Sequence, residues 1–157
     1  MQLRYLACVC VLTFGCGGSN TDGDATEVVF DIESPIAGQD DFYNLPYPSD
    51  LRMVDGHPDL TGYPNPEEIK LLSDLFPLGE GRNGFSTHMA SYFRFTGPLA
   101  PMSESEVIAG DRDAPILLID IDEDSLERGR LIPTVARTLV ADNYVPDNVL
   151  AVAPRPG

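Results

Sequence analysis

The sequence predicts a mainly β fold, an antiparallel sandwich carrying one short helix. Three observations lead there. Fourteen Pro and fourteen Gly in 157 residues give a density of turns that suits short strands better than a helical bundle. Short apolar stretches recur along the chain between clusters of Gly, Pro, Asn and Asp. A single stretch, residues 66–76, combines helical periodicity with a start and a stop signal. A chain of 157 residues reads as one domain. It buries about 68–70% of its unfolded surface, so it needs neither metal nor disulfide to fold.

Taken in order, "VVFDI" (Val28–Ile32) is a strand candidate. "YNLPYPSDLRMVDGHPDLTGYPNP" (Tyr43–Pro66) is extended and Pro-punctuated, with turns expected at Asp55-Gly56 and Thr61-Gly62. The helix follows. Asn65 reads as its N-cap, Pro66 as its first residue and Glu68 as the capping-box acid. Ile69, Leu72, Leu75 and Phe76 supply the face that docks on a sheet, and Pro77 stops the run. "STHMASYFRFTG" (Ser86–Gly97) alternates as a strand does, and Ser103 with Glu106 offers a short capped turn. "APILLIDID" (Ala114–Asp122) is apolar almost throughout and reads as the central buried strand. "LIPTVARTLVA" (Leu131–Ala141) pairs with it as a hairpin, and "VLAVA" (Val149–Ala153) is the last strand. A sheet halted there leaves the fold incomplete at its C-terminus. The open edge would be covered by another segment, by a partner strand or by the rest of a longer protein.

All three cysteines, Cys8, Cys10 and Cys16, lie in the first sixteen residues. Arg4 and the amino terminus form a positive n-region. The ten-residue apolar run Tyr5–Phe14 spans as a helix only about half of a ~30 Å hydrocarbon core, which fits a signal-peptide h-region and not a membrane span. Gly15 then precedes Cys16. The segment resembles a bacterial lipoprotein signal, which implies that Cys16 becomes an N-terminus carrying diacylglyceryl and palmitate-type chains. It departs from that pattern at Thr13 and Phe14, where a Leu and a small residue are usual, with Leu12 one place early. Ordinary secretion and an uncleaved apolar N-terminus are the alternatives.

On the lipoprotein reading, residues 1–15 are the signal peptide, 16–27 a flexible tether and 28–157 the β domain. The mature domain then has no thiol for disulfide or cysteine chemistry. Two or more acyl chains hold a protein stably at a membrane. Gly17 is not the acid that retains enteric lipoproteins at the inner membrane, which favours the outer one. The chain carries 25 acids against 10 bases, a net charge of −15, and losing Arg4 takes it from −15 to −16. Such a charge repels phosphate backbones and excludes nucleic-acid binding as the function class.

Several motifs match a pattern without its physical context. Gly79, Gly81 and Gly84 spell G-x-G-x-x-G, but after a helix and before a strand, so no helix N-terminus meets a phosphate. "GFSTH" places Ser86 and His88 near each other, but His88 stands where a nucleophile elbow needs a small residue, and no third group orients it. No residue is therefore assigned a catalytic role. Asp120, Asp122, Asp124 and Glu127 cluster as hard-cation ligands do. An EF-hand counted from Asp120 would need Gly at Ser125 and an acid at Leu131. Calcium stays as the minor reading beside a solvated rim countered by Arg128 and Arg130. His57 sits alone in a turn, and two distant His residues make no zinc site. Tyr43, Tyr47, Tyr63 and Tyr92 serve either as core or as an aromatic contact face.

"FYNLPYPSDLRMVDGHPDLTGYPNP", "GFSTHMASYFRFTGPLAP", "ILLIDID", "RGRLIPT" and "NVLAVAPRPG" occur in that order. The series resembles the N-terminal region of large secreted bacterial lipases of the virulence-factor type, over residues 43–157. Phe93 to Met102 is similar to the Ig-like modules of bacterial surface proteins. The resemblance implies an antiparallel Ig-like sandwich without catalytic residues of its own, since the catalytic Ser of such lipases lies in a later α/β-hydrolase domain. Three readings follow. The chain is a lipid-anchored, non-catalytic domain of the cell envelope, the front part or a relic of a lipase-like protein, presenting a face of Tyr and Pro turns. It is the front of a longer esterase or lipase. Or it is a stand-alone lipoprotein that binds a glycan or a protein partner.

Overall fold

The computed structural model describes residues 25–155; the residues read as signal peptide, with Cys16 and most of the tether, lie outside them. Among the described residues eight short strands form: β1 (Met53–Val54), β2 (His57–Pro58), β3 (Ser91–Arg94), β4 (Val107–Ile108), β5 (Leu118–Ile119), β6 (Leu131–Ile132), β7 (Thr134–Thr138) and β8 (Val149–Pro154). One α-helix, α1 (Lys70–Glu80), and two 3-10 turns, Gln39–Asn44 and Asp50–Arg52, complete the set. The fold is mainly β and every sheet is antiparallel.

The apolar run "VLAVA" organises the main sheet, whose order is β3-β8-β7-β4. Val149, Leu150 and Val152 are all buried, so β8 is covered on both faces, as its unbroken hydrophobicity requires. Side chains alternate across the pleat. Val149 and Tyr92 join an aromatic cluster with Phe42, Tyr43 and Tyr47, whereas Leu150 and Val152 pack with Phe95, Ile116 and Ala136. The sheet thus separates an aromatic core from an aliphatic one.

This placement corrects two expectations. The last strand is not an open edge, because β8 is hydrogen-bonded to β3 on one side and β7 on the other. The outer side of β3 is covered in turn by bridges Tyr47↔Tyr92 and Val28↔Phe95. Nor is Ala114–Asp122 the central strand. Ile116 enters the aliphatic core, but only Leu118–Ile119 pairs, in a separate two-stranded sheet with β6. The expected hairpin between these segments does form, with Leu118 opposite Ile132 and Ile119 opposite Leu131. Pro133, lacking an N–H, ends that pairing, and the chain crosses to β7. Val28–Ile32 makes a single bridge and not a strand.

The helix begins and ends later than residues 66–76. Asn65 and Pro66 build a turn, with the Glu68 N–H donating to the Asn65 carbonyl at 3.0 Å. Glu68 then adopts a left-handed φ of 49°, which interrupts helical geometry, and α1 starts at Lys70. The Asn65 side chain, buried, still accepts from the Ile69 N–H at 2.9 Å. Pro77 lies inside α1 and does not stop it; having no N–H, it leaves the Ser73 carbonyl without its i→i−4 donor, and the helix runs only three residues further. The turn expected at Asp55-Gly56 is present, with φ of 51° and 85°, as a tight link between β1 and β2 demands. Gly62 is fixed by φ 74° and by a backbone approach that would put a Cβ 2.5 Å from the Gly38 carbonyl oxygen.

No residue of α1 is fully buried. Leu72, Phe76 and Gly79 form its inner stripe: the Phe76 ring lies 5.6 Å from Tyr63, and Gly79 abuts Leu60. Leu71, Leu75 and Leu78 form a second, exposed stripe, 71%, 48% and 68% accessible. Among the described residues no helix is long and apolar enough to cross a membrane. The helix orientation predicts that Phe76→Ala lowers unfolding free energy by about 2 kcal/mol, whereas Leu71→Ala and Leu78→Ala stay within about 0.5 kcal/mol of the parent. Urea denaturation measures all three, and equal losses would mean that the helix is rotated.

Candidate functional site

The residues between Gln39 and Tyr63 wrap around one buried cation. Arg52 is 2% exposed. Its guanidinium donates to the Phe42 carbonyl at 3.2 Å and to the Thr61 carbonyl at 2.6 Å. It lies 4.3 Å from the Phe42 ring centroid and 5.3 Å from that of Tyr47, within cation–π reach of both. It forms no ion pair among the described residues, and its Nε has no partner. Burial lowers its pKa, while Asp59 acts in the opposite sense. Tyr47, Tyr63 and Phe85 extend the cluster by edge-on contacts at 5.4 to 6.1 Å. Burial also pushes the Tyr43 and Tyr47 hydroxyls up to about 12.

On the flank of this nest lies a cleft of about 610 Å³. It is lined by Tyr43, Pro64 and Pro66 and by the turn Asp142–Pro146, which includes Tyr144. The turn is fixed by Asp142, whose Oδ1 accepts from the N–H groups of Tyr144 at 2.7 Å and Val145 at 2.9 Å. Arg94 of β3 also lines the cleft. It donates to Asn44 Oδ1 at 3.2 Å and pairs with no carboxylate among the described residues. Gln39 is anchored through its Oε1, which accepts from the Asn65 N–H at 2.6 Å, leaving its amide NH₂ for the cleft. These residues come from four distant stretches, so no local motif announces them. Arg52 lies inside the Pro-rich segment, where the sequence signals turns and nothing else.

The residues singled out from sequence are otherwise placed. Tyr43 and Tyr47 are buried and Tyr63 and Tyr92 half-buried, so these four build the core and do not present a Tyr face. Ser86 Oγ accepts from the His88 backbone N–H at 3.3 Å, while His88 Nδ1 lies 3.1 Å from Thr87 Oγ1; the imidazole is not bonded to the Ser86 hydroxyl. His57 Nδ1 is 2.9 Å from the Arg82 carbonyl oxygen. Gly79 and Gly81 form the C-terminal end of α1, whose partial negative charge disfavours a phosphate.

The acidic loop is a chain of side-chain-to-backbone turns. Asp120 accepts from the Asp122 N–H at 3.0 Å and from Ser125 Oγ at 2.5 Å, and Asp122 accepts from the Asp124 N–H at 2.9 Å. Glu127 pairs with Arg130, and Glu123 with Arg128 at 3.7 Å. Asp120 and Asp122 are buried, and Asp122 Oδ2 has no partner. Among the described residues no three His, Cys, Asp or Glu side chains converge as a metal site would. Cys16 lies outside the described residues.

The chain matches no protein-family model, and no curated protein or solved structure is significantly similar to it.

Two outcomes follow from the aromatic nest. Arg52→Met strips two buried carbonyls of charged donors and should cost about 2–4 kcal/mol. Arg52→Lys should not recover the loss, since one ammonium cannot serve both carbonyls. A denaturation midpoint unchanged by either variant would remove Arg52 from this role. The tyrosines give a pH dependence. A folded pKa near 12, above the ordinary 10.0, means that the unfolded chain ionises first. The stabilisation is full below about pH 10 and is lost as pH rises toward 12. Tyrosinate absorbance should therefore rise together with loss of the folded circular dichroism signal; complete, reversible ionisation near pH 10 with the fold intact would contradict it.

Proposed function

We propose that this chain is a lipid-anchored, non-catalytic domain of a bacterial cell envelope, held through acylated Cys16 and built as an Ig-like sandwich of the kind that precedes the catalytic domain of virulence-factor-type lipases. The observation that carries the reading is where the resembling segments go. "PYPSDLR" wraps the aromatic nest through Tyr47 and Arg52. "SYFRFTGPL" supplies β3 and the core residues Phe95 and Leu99. "NVLAVAP" supplies β8, which pairs with β3 along Ser91–Arg94. What resembles the family is thus scaffold, and the scaffold's role is to hold and present a neighbouring group at the membrane.

The antiparallel order β3-β8-β7-β4, accompanied by two two-stranded sheets, supports a sandwich-type arrangement. The short charged N-region, apolar run and Gly15-Cys16 junction support lipid anchoring. Net charge −15 works against adsorption to anionic lipid headgroups, which favours a covalent lipid over electrostatic attachment.

The test is the intact mass of the native protein taken from its own cells with the acyl group retained. The expected mass is that of a chain beginning at Cys16 plus lipid, with the increment lost in Cys16→Ser. A mature chain beginning elsewhere, or an unmodified Cys16, would overturn the anchor. Ester hydrolysis by the purified 157-residue chain, abolished by Ser86→Ala, would overturn the non-catalytic assignment.

A further inference from the structure

We infer that the cleft between Tyr43 and Tyr144 is a binding site for a neutral carbohydrate, one or two pyranose units of a longer glycan. Its volume of about 610 Å³ falls in the range of ligand sites, about 300–1,000 Å³. Its chemistry narrows the class. A guanidinium, Arg94, and a carboxylate, Asp142, line the same cleft without pairing with each other. The first offers only donors. The second keeps Oδ2 as an acceptor, because Oδ1 is committed to its turn. A ligand that satisfies both must itself donate and accept at adjacent positions, as the vicinal hydroxyls of a sugar do. Asn143 adds a planar amide on the rim with the same double capacity.

Other ligand classes fit less well. An anion would meet Arg94, but also Asp40 and Asp142, in a chain of net charge −15. A proline-rich peptide needs parallel aromatic ridges. Here the Tyr43 ring is buried against Phe42 at 5.1 Å, so it offers no open ridge. Tyr144, half-buried in the turn that lines the cleft and with Glu67 beside its hydroxyl, supplies the one aromatic ring there on which the C–H face of a single pyranose can stack. The prolines add rigid apolar surface that loses no side-chain entropy on binding. The site does not rest on lipidation, so it stands or falls independently of the anchor.

The experiment is saturation-transfer NMR on the full chain with cellohexaose, mannohexaose and chitohexaose, which present equatorial, axial and N-acetylated hydroxyl patterns, and with a proline-rich peptide as the contrasting ligand. At least one sugar should receive saturation at millimolar concentration. Its Kd should rise at least about tenfold in Tyr144→Ala and rise also in Asn143→Ala, with the melting temperature of the exposed Asn143 variant unchanged. If Tyr144→Ala fails to fold, Asn143→Ala decides. Transfer to none of the three sugars overturns the site, as does transfer unaffected by both variants, or binding of the peptide alone.

Discussion

A buried cation that forms no direct ion pair, with Asp59 as its nearby counter-charge, sits at the centre of the aromatic half of this protein, and much of the chain's path follows from the need to solvate it. Removing a guanidinium from water is costly unless its donors are met. Arg52 is met by two carbonyls, of Phe42 and Thr61, and by the faces of Phe42 and Tyr47. That forces the 3-10 turn Gln39–Asn44, the 3-10 turn Asp50–Arg52 and the Thr61-Gly62 turn to converge on one point. Once they converge, Phe42 is 1% exposed, and the aromatic residues have a lid under which to pack on Val149 and Tyr92 of the sheet. Arginine suits this place because its planar fork reaches two carbonyls while stacking on a ring.

The sheet then makes one set of residues serve two cores. β8 is buried on both faces, and β3 next to it alternates Tyr92 toward the aromatic side with Phe93 and Phe95 toward the aliphatic side. This explains which parts of the fold were legible in the sequence. Continuous hydrophobicity marks a strand covered on both faces, and "VLAVA" became one. "APILLIDID" carries the same signal and did not, because burial of Ile116 against Phe95 and Leu150 does not require ladder pairing. Hydrophobic pattern reports burial, whereas pairing depends on which edges remain free. The Asp55-Gly56 turn was legible because its left-handed φ values restrict the residues that fit. The start of α1 was not, because Asn-Pro suits a turn as well as a cap. The outcome was set from a distance by Gln39 holding the Asn65 N–H and locally by the φ of Glu68.

The candidate sites divide along the same line. The acidic loop was visible as a cluster of letters, and its carboxylates turn out to be engaged with their own backbone at 2.9 to 3.0 Å. Asp, Asn and Ser at two-residue spacing cap N–H groups of their own turn. Sequence proximity of acids is therefore a poor guide to convergence on a ligand. The cleft was invisible for the converse reason: its polar groups come from around Gln39, Arg94 and Asp142, far apart in the sequence, brought together by β3 packing on the Gln39–Asn44 turn and by the turn between β7 and β8.

The position of Arg94 ties scaffold and cleft together. In β3 the pleat sends alternate residues to opposite faces, and Phe93 and Phe95 are required in the aliphatic core. Tyr92 and Arg94 must then face the aromatic side, where Tyr92 meets Tyr43 at 6.4 Å and Arg94, one turn of the pleat further out, reaches Asn44 and the cleft. A cation is tolerated there because the aromatic nest ends at that level. The alternation that fills the core in "FRFTGPL" thereby also places a half-buried guanidinium at the rim of an aromatic wall. There Arg94 is hydrogen-bonded to Asn44 and, like Arg52, Arg82 and Arg112, pairs with no carboxylate among the described residues; what sets it apart from them is that it lines the cleft proposed as the carbohydrate site.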